Sequence, residues 1–219
     1  MNLNKKVYVI EIFGIILFIT LITIAMFTYA GGTWDDPSYV GYNFWGNTFS
    51  DLGRLVTYNG KINLVSMMLF SISYTGIAVM FIPFYLIFQN LFTENKKSKI
   101  SALIGSVFGI ISSICFIGVV FTPADLLRPP HMIFANLAYA SIFFMGVGYT
   151  IALYLSDLLP QVYTYIFVIF SILFFIILML EIVGLNISRI FLVVGQKLGR
   201  IAIFASFIIL TYGLWKLEE

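Results

Sequence analysis

The chain of 219 residues is 61% hydrophobic and 10% charged, with a formal net charge of +2 and a mean hydropathy of +1.02. That composition excludes a soluble globular domain and leaves no basic surface for a nucleic-acid partner. Its one cysteine, Cys115, sits in an apolar run, which excludes a disulfide framework or a thiolate metal cluster within the chain.

The apolar residues fall in runs of roughly 20, long enough for helices to cross a hydrocarbon layer about 30 Å thick, and they lack the alternation of barrel strands. The fold class is therefore all-α, an integral membrane bundle of about six transmembrane helices in a single domain, residues 1–219. The spans are expected at 7–30, 62–90, 100–122, 131–155, 162–185 and 198–216.

The first run follows Lys5 and Lys6, and its apolar part, from Val7 to Ala30, exceeds the about 7 to 15 residues of a signal core. It is read as a retained span, with Glu11 as a snorkelling residue near its inner end. The connection 31–60 is the long one. Trp34, Tyr39, Tyr42, Phe44 and Trp45 suit either a headgroup-belt anchor or a lid over an outward-facing pocket.

Within this loop, Asn47 or Thr48 can cap a short helix that carries Asp51 in its first turn. Asp51 and Arg54 then share a face at i, i+3, as a surface ion pair or as part of a site. Pro83 predicts a kink or tilt in the second span. Lys96, Lys97 and Lys99 in the next connection form the strongest topological signal. They place the N- and C-termini in the cytoplasm, most simply of a prokaryotic plasma membrane.

Ser101, Gly105, Gly109 and Ser113 recur every four residues along the third span and admit a closely packed helix, a possible partner face. The connection after it, from Thr122 to His131, is stiffened by Pro123, Pro129 and Pro130 and carries Asp125 and Arg128. His131 opens the fourth span; with no second histidine near it, a metal site is not expected, leaving an acid/base or a structural role. No cofactor motif is present.

Glu181 lies near the outer end of the fifth span, where it needs a ligand or a partner such as Arg189 or Lys197. The sequon Asn186-Ile-Ser188 falls in the next connection. The segment from Arg189 to Val194 suits the interface plane. Gln196, Lys197 and Arg200 then open the last span, able to hold a lipid phosphate or to neutralise the outer acids. All four arginines fall on the outer side and six of the eight lysines on the other.

The ordered set Phe49-Ser50-Asp51-Leu52-Gly53, His131, Glu181 and Gln196-Lys197 resembles the uncharacterised prokaryotic multipass family DUF nine-ninety-eight, and more distantly the eukaryotic Frag/DRAM/Sfk-like group. The resemblance implies six spans and a non-cytoplasmic polar cluster. It singles out Ser50, Asp51, His131, Glu181, Gln196 and Lys197, and some eukaryotic members of the wider group are linked to remodelling the lipid part of GPI anchors. No catalytic motif stands complete, so an enzyme is neither expected nor excluded.

Together these readings lead to an outward-facing site at headgroup depth that binds or modifies an anionic membrane lipid or similar amphiphile. Ser50, Arg54, Arg128, Gln196, Lys197 and Arg200 would hold the headgroup. Asp51, Asp125, His131 and Glu181 would perform acid/base chemistry if the protein is an enzyme. The alternatives are a non-catalytic scaffold, or a small-solute transporter, which would need more polar residues at mid-membrane.

Overall fold

The computed structural model describes residues 3–219, apart from the side chains of residues 185 and 186. The sequon's Asn186 side chain thus lies outside the described residues. Among the described residues, six helices are long and apolar enough to cross a membrane: α1 (Leu3–Thr28), α3 (Leu64–Phe88), α4 (Lys96–Phe121), α5 (Arg128–Tyr154), α6 (Gln161–Asn186) and α7 (Arg189–Leu217). A one-turn helix, α2 (Phe49–Leu52), sits in the loop between α1 and α3. The protein is an all-α integral membrane bundle.

Each long helix packs on its neighbour in the chain, and α1 meets α7 to close a ring. The closing contact is visible at the chain ends, where Asn4 Nδ2 donates to Glu218 Oε1 at 2.9 Å. Both ends therefore lie with the lysines, and the long loop lies at the opposite, arginine-bearing end, called the loop face below.

Outward positions such as Phe13, Ile16, Val107, Ile114, Ile169 and Ile172 are exposed, as side chains facing lipid should be. The interior is aromatic. Phe207 of α7 packs against Phe81 and Phe84 of α3, with ring centroids 5.1 and 5.5 Å apart, and reaches Phe167 of α6. These rings, all buried, fill the axis of the ring by edge and tilted contacts.

The helix that the small-residue stripe on α4 admits is α5 of the same chain. A Cβ on Gly148 would lie 2.8 Å from Gly105 Cα and 3.0 Å from the Ser101 carbonyl, so backbone touches backbone there. Gly109 lies under the Tyr85 ring of α3, and Ser113 borders a small interior void. Pro83 is accommodated within α3 without a break.

The last helix starts nine residues before the expected position of 198. It follows α6 through a connection of residues 187–188 only, a hairpin tight enough that a Cβ on Gly184 would meet Leu192 N at 2.5 Å. Arg189 to Val194 is thus helix, not an interfacial strap. Lys197 and Arg200 therefore lie two to three turns inside α7, both buried. Hydropathy placed them at a span end because it does not register the polar partners they find inside the bundle.

Glu11 does not snorkel, contrary to expectation: it is fully buried, accepting a hydrogen bond from Thr211 Oγ1 of α7 at 2.7 Å.

Candidate functional site

The loop from 29 to 63 is a folded roof. Its path reverses at Gly31 and Gly32, whose φ of 110° and 85° only glycine adopts without strain. Asn side chains replace missing backbone partners: Asn59 Nδ2 donates to the Ala30 carbonyl, and Asn63 Nδ2 to the carbonyls of Leu52 and Arg54. Phe44 and Trp45 are exposed at the loop surface, while Trp34 reaches over a cavity.

Within the loop, Thr48 rather than Asn47 caps α2. Its Oγ1 accepts from Asp51 N, and Asp51 Oδ2 accepts from Thr48 N at 2.8 Å, a reciprocal capping box. The helix is docked on α7: Gln196 Oε1 accepts from Phe49 N at 3.1 Å, and Lys197 Nζ donates to the Asn47 carbonyl at 2.7 Å.

Asp51 is the hub. Its buried carboxylate accepts from Arg189 Nη2 at 2.9 and 3.0 Å and from the Tyr58 hydroxyl at 2.8 Å. The expected Asp51–Arg54 pairing does not form. Arg54 Nε instead donates to the Val56 carbonyl, and its guanidinium lies 4.1 Å from the Tyr58 ring centroid. Burial and the Asp51 carboxylate both push the Tyr58 phenol well above its ordinary range.

Beside this hub, a cavity of about 260 Å³ opens at the loop face between the loop, α5, α6 and α7. Its buried floor includes Asp51, His131 and Glu181, and its more exposed rim includes Trp34, Arg54 and Arg128. Ser50, Asp125, Arg189 and Gln196 also line it. Eight of the ten site residues expected from the sequence thus converge.

The other two do not line it. Lys197 stands within a cage of aromatic rings, its Nζ 4.7 Å from the Phe44 centroid and 5.3 Å from that of Phe49. Arg200 Nη2 donates to the Tyr74 hydroxyl at 3.2 Å, between the rings of Phe18, Tyr74 and Phe116. Both cations hold the bundle and its roof together rather than facing the cavity.

Sequence reasoning missed Tyr58 and Arg189 as lining residues and named Trp34 only among the aromatics of an anchor or a lid. Arg189 was legible only as a possible partner of Glu181, whereas it is committed to Asp51.

Of the acids, Asp125 is half-buried and already satisfied, its oxygens accepting from Leu55 N at 3.2 Å and Val56 N at 2.8 Å. It ties the short α4–α5 connection to the roof. Glu181 differs: it is 3% exposed, has no ion-pair partner among the described residues, and its Oε1 has no hydrogen-bond partner.

His131 sits in the first turn of α5, after Pro129 and Pro130, which need no backbone donor there. Its Nδ1 lies 2.7 Å from the Thr122 carbonyl, an unfilled acceptor at the end of α4. A carbonyl only accepts, so Nδ1 carries the proton and Nε2 is the basic nitrogen. Among the described residues no group of three His, Cys, Asp or Glu side chains converges as a metal site.

Arg54 and Arg128 have no ion-pair partner among the described residues. Arg128 lies 5.3 Å from the Trp34 ring centroid, and the two guanidiniums stand at the rim above a floor that holds the Asp51 and Glu181 carboxylates. No known protein family, curated protein or solved structure matches the chain.

Proposed function

We propose that the cavity binds the anionic headgroup of a membrane lipid or similar amphiphile, with Arg54 and Arg128 receiving its phosphate. The observation that carries the reading is that these two guanidiniums stand at the cavity rim with no carboxylate partner. Arginine's planar fork suits phosphate oxygens. The cavity, about 260 Å³, is below the ~300 Å³ at which drug-sized pockets begin, so it suits a headgroup and not a whole lipid. The acyl chains would remain among the outward isoleucines.

A scaffold whose outer charges only neutralise one another is less well supported, because Arg54, Arg128 and Glu181 are left out of any such pairing. A transporter is less well supported because Phe84 and Phe207 fill the axis. The lysine asymmetry supports a cytoplasmic lysine-bearing end and a cavity on the other side of the plasma membrane.

The test is native mass spectrometry of the detergent-extracted protein with its retained lipids. Arg54→Ala and Arg128→Ala should each weaken retention of anionic lipid about tenfold, the value of one charge-assisted hydrogen bond. A double variant with undiminished lipid would overturn the reading.

A second reading, that the bound headgroup is also altered, is favoured by His131, whose locked tautomer supplies a base in the same cavity. New lipid species formed by the wild type and absent with His131→Gln would establish it. Identical lipid profiles would remove it.

A further inference from the structure

A headgroup held only by the rim arginines would leave the cavity floor unexplained. Glu181 is nearly as inaccessible as the core phenylalanines, yet Oε1 has no partner. Leaving a buried carboxyl oxygen without a donor is costly, more so where no water competes.

None of the protein's own donors reaches this oxygen, and most are committed elsewhere, although Arg189 Nε and Arg200 Nε are themselves buried without a partner. Arg189 Nη2 serves Asp51 and the Tyr58 hydroxyl. Lys197 Nζ serves the Asn47 carbonyl, Arg200 Nη2 serves Tyr74, and His131 Nδ1 serves Thr122. Glu181 lines the cavity, so a donor carried by the ligand can satisfy the oxygen that the protein leaves open.

The charges around the cavity define that donor further. Arg54, Arg128 and Arg189 face Asp51, Asp125 and Glu181, so the lining is formally neutral. A purely anionic ligand would bring a second negative charge beside Glu181, and like charges at close range oppose binding. A ligand with a cation of its own keeps the balance and meets the carboxylate with an attractive charge.

The aromatic faces define which cation. A quaternary ammonium has no N–H and is recognised on open aromatic rings. Here the rings at the rim are already taken: Trp34 by Arg128 and Arg189, and Tyr58 by Arg54 and Arg189, all within 5.5 Å of a centroid. A primary ammonium needs no such face, only an acceptor, and Glu181 is one.

We infer that the ligand pairs a phosphate with a primary ammonium, the phosphate at Arg54 and Arg128 and the ammonium on Glu181. The inference rests on the reading above that Arg54 and Arg128 receive a headgroup phosphate, and makes that headgroup zwitterionic and not purely anionic: phosphoethanolamine-type chemistry, on a lipid or as a free phosphoester.

The test uses the full chain in nanodiscs of phosphatidylcholine doped equally with phosphatidylethanolamine and phosphatidylglycerol, and scores bound lipid by native mass spectrometry. Wild type should retain the ethanolamine lipid about tenfold over the choline lipid, the worth of one charge-assisted hydrogen bond. Glu181→Gln should bring that ratio to about one.

Equal retention of ethanolamine and choline lipids by the wild type, with both lost in the Arg54→Ala, Arg128→Ala double variant, would overturn this inference and leave the headgroup reading standing. Retention indifferent to that double variant would overturn both. The wild-type ratio requires no variant to fold, so the test survives a destabilised Glu181→Gln. Soluble phosphoethanolamine is a separate arm: displacement of bound lipid by it at millimolar concentration assigns the same chemistry to a free phosphoester, and no displacement assigns it to the lipid.

Discussion

Arg189 Nη2 donates to both carboxylate oxygens of Asp51, joining the first residue of α7 to the one-turn helix α2 across 138 positions of sequence. The same nitrogen lies 2.7 Å from the Tyr58 hydroxyl, so one cation fastens the loop at two points. The pair is largely buried, with side-chain exposures of 17% and 2%. Removing one partner strands the other, which costs about 3 kcal/mol or more. Arg189→Ala should therefore lower stability by about 3 kcal/mol, while Arg54→Ala, which loses one exposed hydrogen bond to the Val56 carbonyl and the stacking on Tyr58, should cost about 1 kcal/mol. Denaturant unfolding in detergent decides; equal losses for the two variants would remove the distinction.

The Tyr58 phenol gives this hub a pH dependence. Burial and the Asp51 charge raise its folded value above the ordinary 10.0, so the folded state holds the proton more tightly than the unfolded chain. Its contribution to stability is complete below pH 10 and is lost as pH climbs through the raised value. Melting temperature followed from pH 7 to pH 11 should hold steady and then fall above pH 10, with a shallower fall in Tyr58→Phe. An identical alkaline slope in that variant would exclude Tyr58 as a source.

The number and approximate limits of the spans were legible because an 18-residue apolar window leaves a helix few alternatives in lipid. The start of α7 was not, since Lys197 and Arg200 read as polar residues at a membrane edge. Their partners, the Asn47 carbonyl and the Tyr74 hydroxyl, lie 150 and 126 positions away, and no local pattern announces contacts of that range. The same limit explains why Asp51 seemed matched to Arg54, its neighbour on one helix face, when Arg189 was to meet it. His131 and Glu181 were legible because polar residues in apolar sequence are conspicuous one at a time, whereas Ser50 was singled out only through the family resemblance. Tyr58 and Trp34 were hidden among the loop's other aromatics.

Glu11 and Thr211 join the first and last helices where the ring closes. Thr211 Oγ1 donates to Glu11 Oε2 at 2.7 Å, and Glu11 Oε1 is already without a partner. Thr211→Val leaves the whole carboxyl stranded and should cost about 1 to 3 kcal/mol. The double variant Glu11→Leu, Thr211→Val removes both polar groups and should recover most of that loss, because an apolar pair of similar size needs no donor. A thermal-shift series of the single and double variants tests this. A double variant as unstable as the sum of its singles would mean that the pair contributes more than mutual satisfaction.

The seam between α4 and α5 makes a sharp contrast between two chemically identical substitutions. A Cβ at Gly148 would come within 2.8 Å of Gly105 Cα and 2.9 Å of Gly105 N, whereas one at Gly76 would meet only Leu17 Cδ2 at 3.8 Å. The atoms at Gly148 are backbone of α4 and cannot swing aside, so α4 and α5 would have to separate along their length. Overpacking of this kind costs about 1 to 3 kcal/mol in an ordinary core, and Gly148→Ala should reach the upper end because no side chain can relax. Gly76→Ala fills open space in a helix that alanine favours by about 1 kcal/mol over glycine, and should be neutral or stabilising. Both helices lie in lipid and both changes add one methyl, so any difference in unfolding midpoint reports the α4–α5 contact. Equal midpoints would mean that α4 and α5 are not pressed backbone to backbone at Gly105 and Gly148.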